Sequence, residues 1–160
     1  ATIESMVQQT LRFFKRQIEK LDQSIKELIE SDARLRTKNN IIQSVVGVGP
    51  VTAWSICAYL PEITEVNRGQ LAALAGLAPY NQDSGQKKGL RRIQGGRQKV
   101  RNPLYMAAAS AATHNPHIKA YVKRLREEKG KPYKCAITAA MRKMLIHIQS
   151  LLKNQQSALA

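Results

Sequence analysis

Nine positions near the start of the chain, Val7, Leu11, Phe14, Ile18, Leu21, Ile25, Leu28, Asp32 and Leu35, follow one another at alternating spacings of four and three. That is the a/d seam of a heptad pattern, sustained for about four heptads, and a β-strand cannot present it on one face. No Gly or Pro occurs before Gly47, so the spacing predicts one helix over residues 2–38. A helix of that length would reach about 50 Å, farther than a small domain can cover. The seam therefore points to a partner helix, in a coiled coil that joins copies of the chain. Packing the stripe on its own chain is the alternative. Asp32 is the single polar member, placed near the end where such a seam frays.

The next stretch, 41–80, reads as helix, tight turn, helix, turn and helix. Gly47-Val48-Gly49-Pro50 separates two apolar helical runs, and Pro suits a first helical position. This pattern is helix-hairpin-helix-like over 41–66. Backbone N–H groups at Gly47 and Gly49 could hold a nucleic-acid phosphate without reading sequence, and the same turn also serves as a purely structural hairpin. It is not a P-loop, because the Gly-Lys-Ser/Thr ending is absent. Asn67 is placed to cap a short helix that stops at Gly76.

A basic, glycine-rich segment follows. Lys87, Lys88, Arg91, Arg92, Arg97, Lys99 and Arg101 crowd it, and no Asp or Glu occurs from Ser84 to Arg126. Its glycines argue against a helix, while Leu90 and Ile93 could anchor an ordered loop or small hairpin. Three helices come next: an alanine-rich one over 104–115, a charged one ending at Gly130, and a last one over 132–153. The fold class is mainly α, a long N-terminal coiled-coil helix (1–40) followed by a compact helical domain (41–160) that carries the basic loop.

With 26 Lys and Arg against 11 Asp and Glu, the formal charge is +15. Such a balance points to a polyanion: DNA, RNA or an acidic membrane surface. No stretch is long and apolar enough to span a bilayer, so no membrane partner is expected. The expected location is the cytoplasm of a bacterium or archaeon, on the nucleoid. Cys57 and Cys135, far apart and in apolar surroundings, read as buried thiols rather than a disulfide. Aromatic residues are few, which favours phosphate contacts over base stacking.

Candidate chemistry is sparse. Ser84 has no histidine within twenty residues and lacks the Gly-x-Ser-x-Gly elbow of a hydrolase; a turn serine is the bland reading. Beside clustered guanidinium groups, however, a serine oxygen can attack phosphorus while the cations offset the growing charge. His114 and His117 flank Asn115-Pro116 with no carboxylate or cysteine to complete a metal shell, and His147 reads as packing. The carboxylates do not cluster as a two-metal nuclease requires. No metal site is expected in this chain.

The runs VVGVGPVTAWSICAYLPE, RGQLAALAGLAPYNQDSG and GGRQKVRNPLYMAAASAATHNP, taken together, resemble the C-terminal transposase domain of one insertion-sequence recombinase family. Its members pair an N-terminal RuvC-like domain, bearing a DEDD acidic set, with this serine-bearing domain, and pilin-gene invertases are relatives. The resemblance covers about 41–153, and the preceding seam is similar to the family's linking coiled coil. It implies that Ser84, in the Pro-x-x-x-x-Ser-Gly element from Pro79 to Gly85, is the nucleophile that forms a phosphoserine link to DNA. Lys87, Lys88, Arg91, Arg92 and Arg97 would then grip the scissile phosphate or nearby backbone, with Lys99 and Arg101 beside them. Some members are guided by a structured RNA, so part of the charge could meet RNA. The chain opens in the seam, which places the RuvC-like domain and its Mg²⁺ outside these residues. Alone they are expected to oligomerise and bind rather than recombine DNA. A non-catalytic nucleic-acid-binding module and a coiled-coil structural adaptor are the competing classes.

Overall fold

The computed structural model describes residues 2–80 and 92–159, the side chains of 92 and 159 excepted. Among them the chain is mainly α, with one two-stranded ladder. Contacts divide it into two units, Ala1–Thr37 and Lys38–Ala160.

In the first unit, helix α1 spans Thr2–Ser31. Most of its seam is exposed among the described residues: Val7, Leu11, Phe14, Ile18, Leu21 and Leu28 are each about half exposed or more, and Ile25 is half-buried. The expected single helix over 2–38 is not what forms. The helix stops at Ser31, and a second one, α2, runs over Ala33–Gln43. Asp32 causes the break. Its Oδ1 accepts from the backbone N–H of Arg34 (2.8 Å) and Leu35 (3.0 Å), so the polar residue of the seam acts as a cap.

The second unit is built around α5, Gln98–His114, which packs against α3 (Pro50–Tyr59), α6 (Pro116–Glu127) and α7 (Tyr133–Leu159). Small side chains make this central position workable. Ala107, Ala108 and Ala111 are buried, so neighbouring backbones approach closely. The turn before α3 exploits that gap: a Cβ on Gly47, at φ +99°, would fall 2.7 Å from Ala111 Cβ and 2.9 Å from the Ala107 carbonyl oxygen. Thr52 on α3 is buried and donates to the carbonyl of Pro103 (3.1 Å).

Around α5 the core is filled by Ile42, Ile56, Leu60, Ile63, Leu71, Leu104, Ile137, Met144 and Ile148, none more than 1% exposed. Burying one such side chain is worth roughly 2 kcal/mol. A 3-10 turn at Pro61–Thr64 is tied to α7 by the buried Gln149, whose amide donates to the carbonyls of Ile63 and Val66, both at 2.8 Å.

Local signals set most boundaries. Asn67 and Gln70 form a reciprocal capping box at the start of α4, Arg68–Leu74. Gly76, at φ +68°, ends it: Gly76 N–H donates to Ala73 and Leu77 N–H to Ala72, the double bond of a Schellman turn. Asn115 caps α6 by accepting from His117 and Ile118, which accounts for the polar residue between the two histidines. Two expectations fail. Cys135 is exposed rather than buried, and His147 faces solvent rather than the core.

Candidate nucleic-acid interface

After Gly76 the chain runs through Leu77 into strand β1, Pro79–Tyr80, which pairs antiparallel with β2, Arg92–Ile93, in the register Pro79↔Ile93 and Tyr80↔Arg92. Ser84, Lys87, Lys88 and Arg91 lie between the strands and outside the described residues. What the structure describes is the foot, residues 77–80 and 92–97.

That foot is docked by two glycines. Gly76 and Gly96, both near φ +70°, meet so closely that a Cβ on Gly96 would strike the backbone of Gly76. Arg97 N–H then donates to the Leu74 carbonyl (2.7 Å), and Arg101 reaches back to the carbonyls of Gly95 (2.5 Å) and Gly76 (3.4 Å). The returning end of the hairpin is thereby pinned to the C-terminus of α4.

The basic residues predicted to meet phosphate separate into groups. Arg97 forms an ion pair with Glu62 (2.5 Å) and donates to the Tyr59 carbonyl (2.8 Å). Hydrogen bonding from Arg97 is the main reason the Glu62 carboxyl sits below its ordinary pKa, assisted by a backbone bond and opposed by burial. Lys99 Nζ stands 5.0 Å over the Tyr59 ring. Lys99 and Arg101 are not loop residues as expected: α5 begins at Gln98, six residues before the predicted start. Pro103 lies inside this helix. The result concentrates positive charge. The first turn of α5 has no carboxylate, so its cations add to the positive end of the helix dipole, which disfavours the free protein and favours an anion.

A groove of about 690 Å³ opens beside the hairpin foot, lined by Pro79 and Ile93 from the strands, Arg101, Asn102 and Tyr105 from α5, and Lys134, Thr138 and Arg142 from α7. It holds three cations and no acid among the described residues. The ion pairs found among the described residues involve Arg36, Arg97 and Lys123, none of which lines this groove. The sequence reading missed Lys134, Thr138 and Arg142. Their spacing of i, i+4, i+8 marks one helix face, and two cations flanking the apolar face of the last helix were the available signal.

The hairpin turn before α3 also divides. Gly47 is turned against α5, as above, while a Cβ on Gly49 would meet open space. Gly49 is the N-cap of α3 with no side-chain cap, and Pro50 follows at the first position. Among the described residues no group of three His, Cys, Asp or Glu side chains could hold a metal ion, and no helix is long and apolar enough to cross a membrane.

Residues 39–123 match the family described as Transposase IS116/IS110/IS902 family. The pilin gene-inverting protein of Moraxella lacunata is 29% identical over 147 residues, covering 89% of this chain and 45% of its own length. Its counterpart in Moraxella bovis gives the same identity and coverage. An uncharacterized 44.8 kDa protein of insertion element IS116, from Streptomyces clavuligerus, is 35% identical over 92 residues, 56% of this chain and 22% of that protein. The chain thus spans less than half the length of these relatives. The family match contains both strands and the segment between them; α1 lies before it and α7 after it.

Proposed function

Because the chain belongs to the IS116/IS110/IS902 transposase family, we propose that it is the serine-bearing, nucleic-acid-binding part of a DNA transposase or site-specific recombinase. The observation that supports this reading is the anchoring of the two described strands on either side of the Ser84 segment. Its two ends are paired and pinned at the mouth of a groove that offers Arg101, Lys134 and Arg142 and no carboxylate among the described residues.

In the proposed reaction Ser84 Oγ attacks a DNA phosphodiester. A bond forms between Oγ and phosphorus as the bond to the leaving strand oxygen breaks, and the serine proton passes to solvent or base while the leaving oxygen gains one. A strand hydroxyl later attacks the phosphoserine link and restores Ser84. One phosphoester replaces another at each step, so no nucleotide hydrolysis is needed. Lys87, Lys88, Arg91 and Arg92 clamp the scissile phosphate, and the groove cations hold the flanking backbone. Arg97 instead braces the hairpin through Glu62. Gly49, with Gly47 shaping the turn, offers backbone N–H groups to a phosphate farther along the strand. The described residues do not fit a Mg²⁺ site, and no step here runs through one; the metal belongs with a RuvC-like acidic set outside them. A guide RNA is part of the proposal for the whole protein, and crosslinking that recovers no RNA would remove it.

The test is a search, by denaturing gel and mass spectrometry, for a DNA-linked peptide containing Ser84 in the full-length protein with cognate DNA. An adduct that disappears in Ser84→Ala establishes both reaction and nucleophile. Salt-dependent binding with no adduct in either protein leaves a non-catalytic binding module.

A further inference from the structure

Among the described residues, another cationic concavity lies on α6. Lys119, Lys123 and Arg126 fall at i, i+4 and i+7 on one helix face, and Lys131 and Tyr133 close the far wall. The groove is about 520 Å³. Its single acid, Glu127, stands 3.8 Å from Lys123 with both side chains about two-thirds exposed, a pair too solvated to neutralise the face. The Arg126 guanidinium stands over the Tyr133 ring, 5.6 Å from its centre, within the range of a cation–π attraction. The groove shares no lining residue with the one beside the hairpin; Tyr133 lines one and Lys134 the other. The first turn of α7 therefore separates two basic grooves.

We infer that the α6 groove is a second nucleic-acid site, which takes the phosphate backbone of a segment other than the one presented to Ser84. The seven-residue step from Lys119 to Arg126 measures about 10 Å along the helix, or about three nucleotides of one strand at 3.4 Å each. The three cations thus face a run of about three nucleotide steps of one strand. Backbone contact of this kind positions a strand without reading its bases. The site does not depend on Ser84 being a nucleophile, since it shares no lining residue with the groove beside the hairpin.

A charge-matched comparison tests it. In one variant Lys119, Lys123 and Arg126 are changed to Gln; in the control Arg12, Lys15 and Lys20, exposed on α1, are changed to Gln. All six side chains are on the surface, so both proteins should fold, and both lose the same formal charge. Fluorescence anisotropy then follows binding of a labelled duplex DNA and a labelled RNA strand across a salt series. The α6 variant should lower the slope of log K against log salt by about 2.7 on duplex, or about 2 on a single strand, and by clearly more than the control. A loss confined to duplex identifies DNA as the occupant, and one confined to the strand identifies RNA. Equal losses in the two variants, or none, overturn the inference.

Discussion

Gly95 and Gly96 are adjacent, share a positive φ (+69° and +70°), and differ only in what surrounds them. A Cβ on Gly95 would meet nothing within 4 Å, whereas one on Gly96 would be driven into the Gly76 backbone and to 2.9 Å from the Ala73 carbonyl oxygen. Gly95→Ala should therefore cost only the left-handed backbone penalty, roughly 1–2 kcal/mol. Gly96→Ala carries that penalty and a clash with backbone that closes a Schellman turn, so no side chain can swing aside. Relief requires the hairpin foot to lift, which gives up the Arg97 N–H bond to Leu74 and the Arg101 bond to Gly95, at roughly 1 kcal/mol each. The total is about 3–4 kcal/mol. For a unit of this size about 4 °C of Tm accompanies each kcal/mol, so thermal unfolding followed by circular dichroism should show a drop near 6 °C for Gly95→Ala and at least twice that for Gly96→Ala. Equal drops would refute the claim that close approach of two backbones, rather than φ alone, holds the foot of the hairpin.

Two further outcomes follow from the ion pair and the seam. The Glu62 carboxyl is depressed by Arg97, so the folded pKa lies below the unfolded one; the pair's stabilisation is complete above the ordinary Glu value, about 4.3, and fades as pH falls through the folded value. Tm measured against pH should fall more steeply on acidification in the wild type than in Arg97→Ala, and parallel curves would remove the pair from the account. On α1, Leu11 and Ile18 are 49% and 57% exposed, and pairing that buries such side chains gains roughly 2 kcal/mol for each. Leu11→Glu with Ile18→Glu should convert an oligomer to monomer by sedimentation equilibrium, whereas a wild-type monomer at high concentration would rule out the coiled coil.

The sequence by itself determined what depends on residues within about one helical turn of each other. The heptad spacing of α1, the Asn67 cap and the Gly76 stop all follow from neighbours on the chain. Asp32 shows the limit even there: it was legible as the odd member of the seam, but its competing hydrogen bonds to Arg34 and Leu35 decided that the helix breaks. Charge was legible as a total and not as a distribution. Arg97, Lys99 and Arg101 read alike in a basic run, yet one is paired with Glu62, one stands over Tyr59 and one holds two carbonyls. Those partners lie 6 to 40 residues away. Likewise Gly47 is recognisable as a turn glycine, but only the packing of Ala107 and Ala111 against it explains why that glycine faces the protein. The groove is the plainest case, since α5 and α7 supply its cations from stretches more than thirty residues apart. Periodicity and capping are short-range interactions written in sequence order; a groove is an arrangement of surfaces that only the packed core brings together.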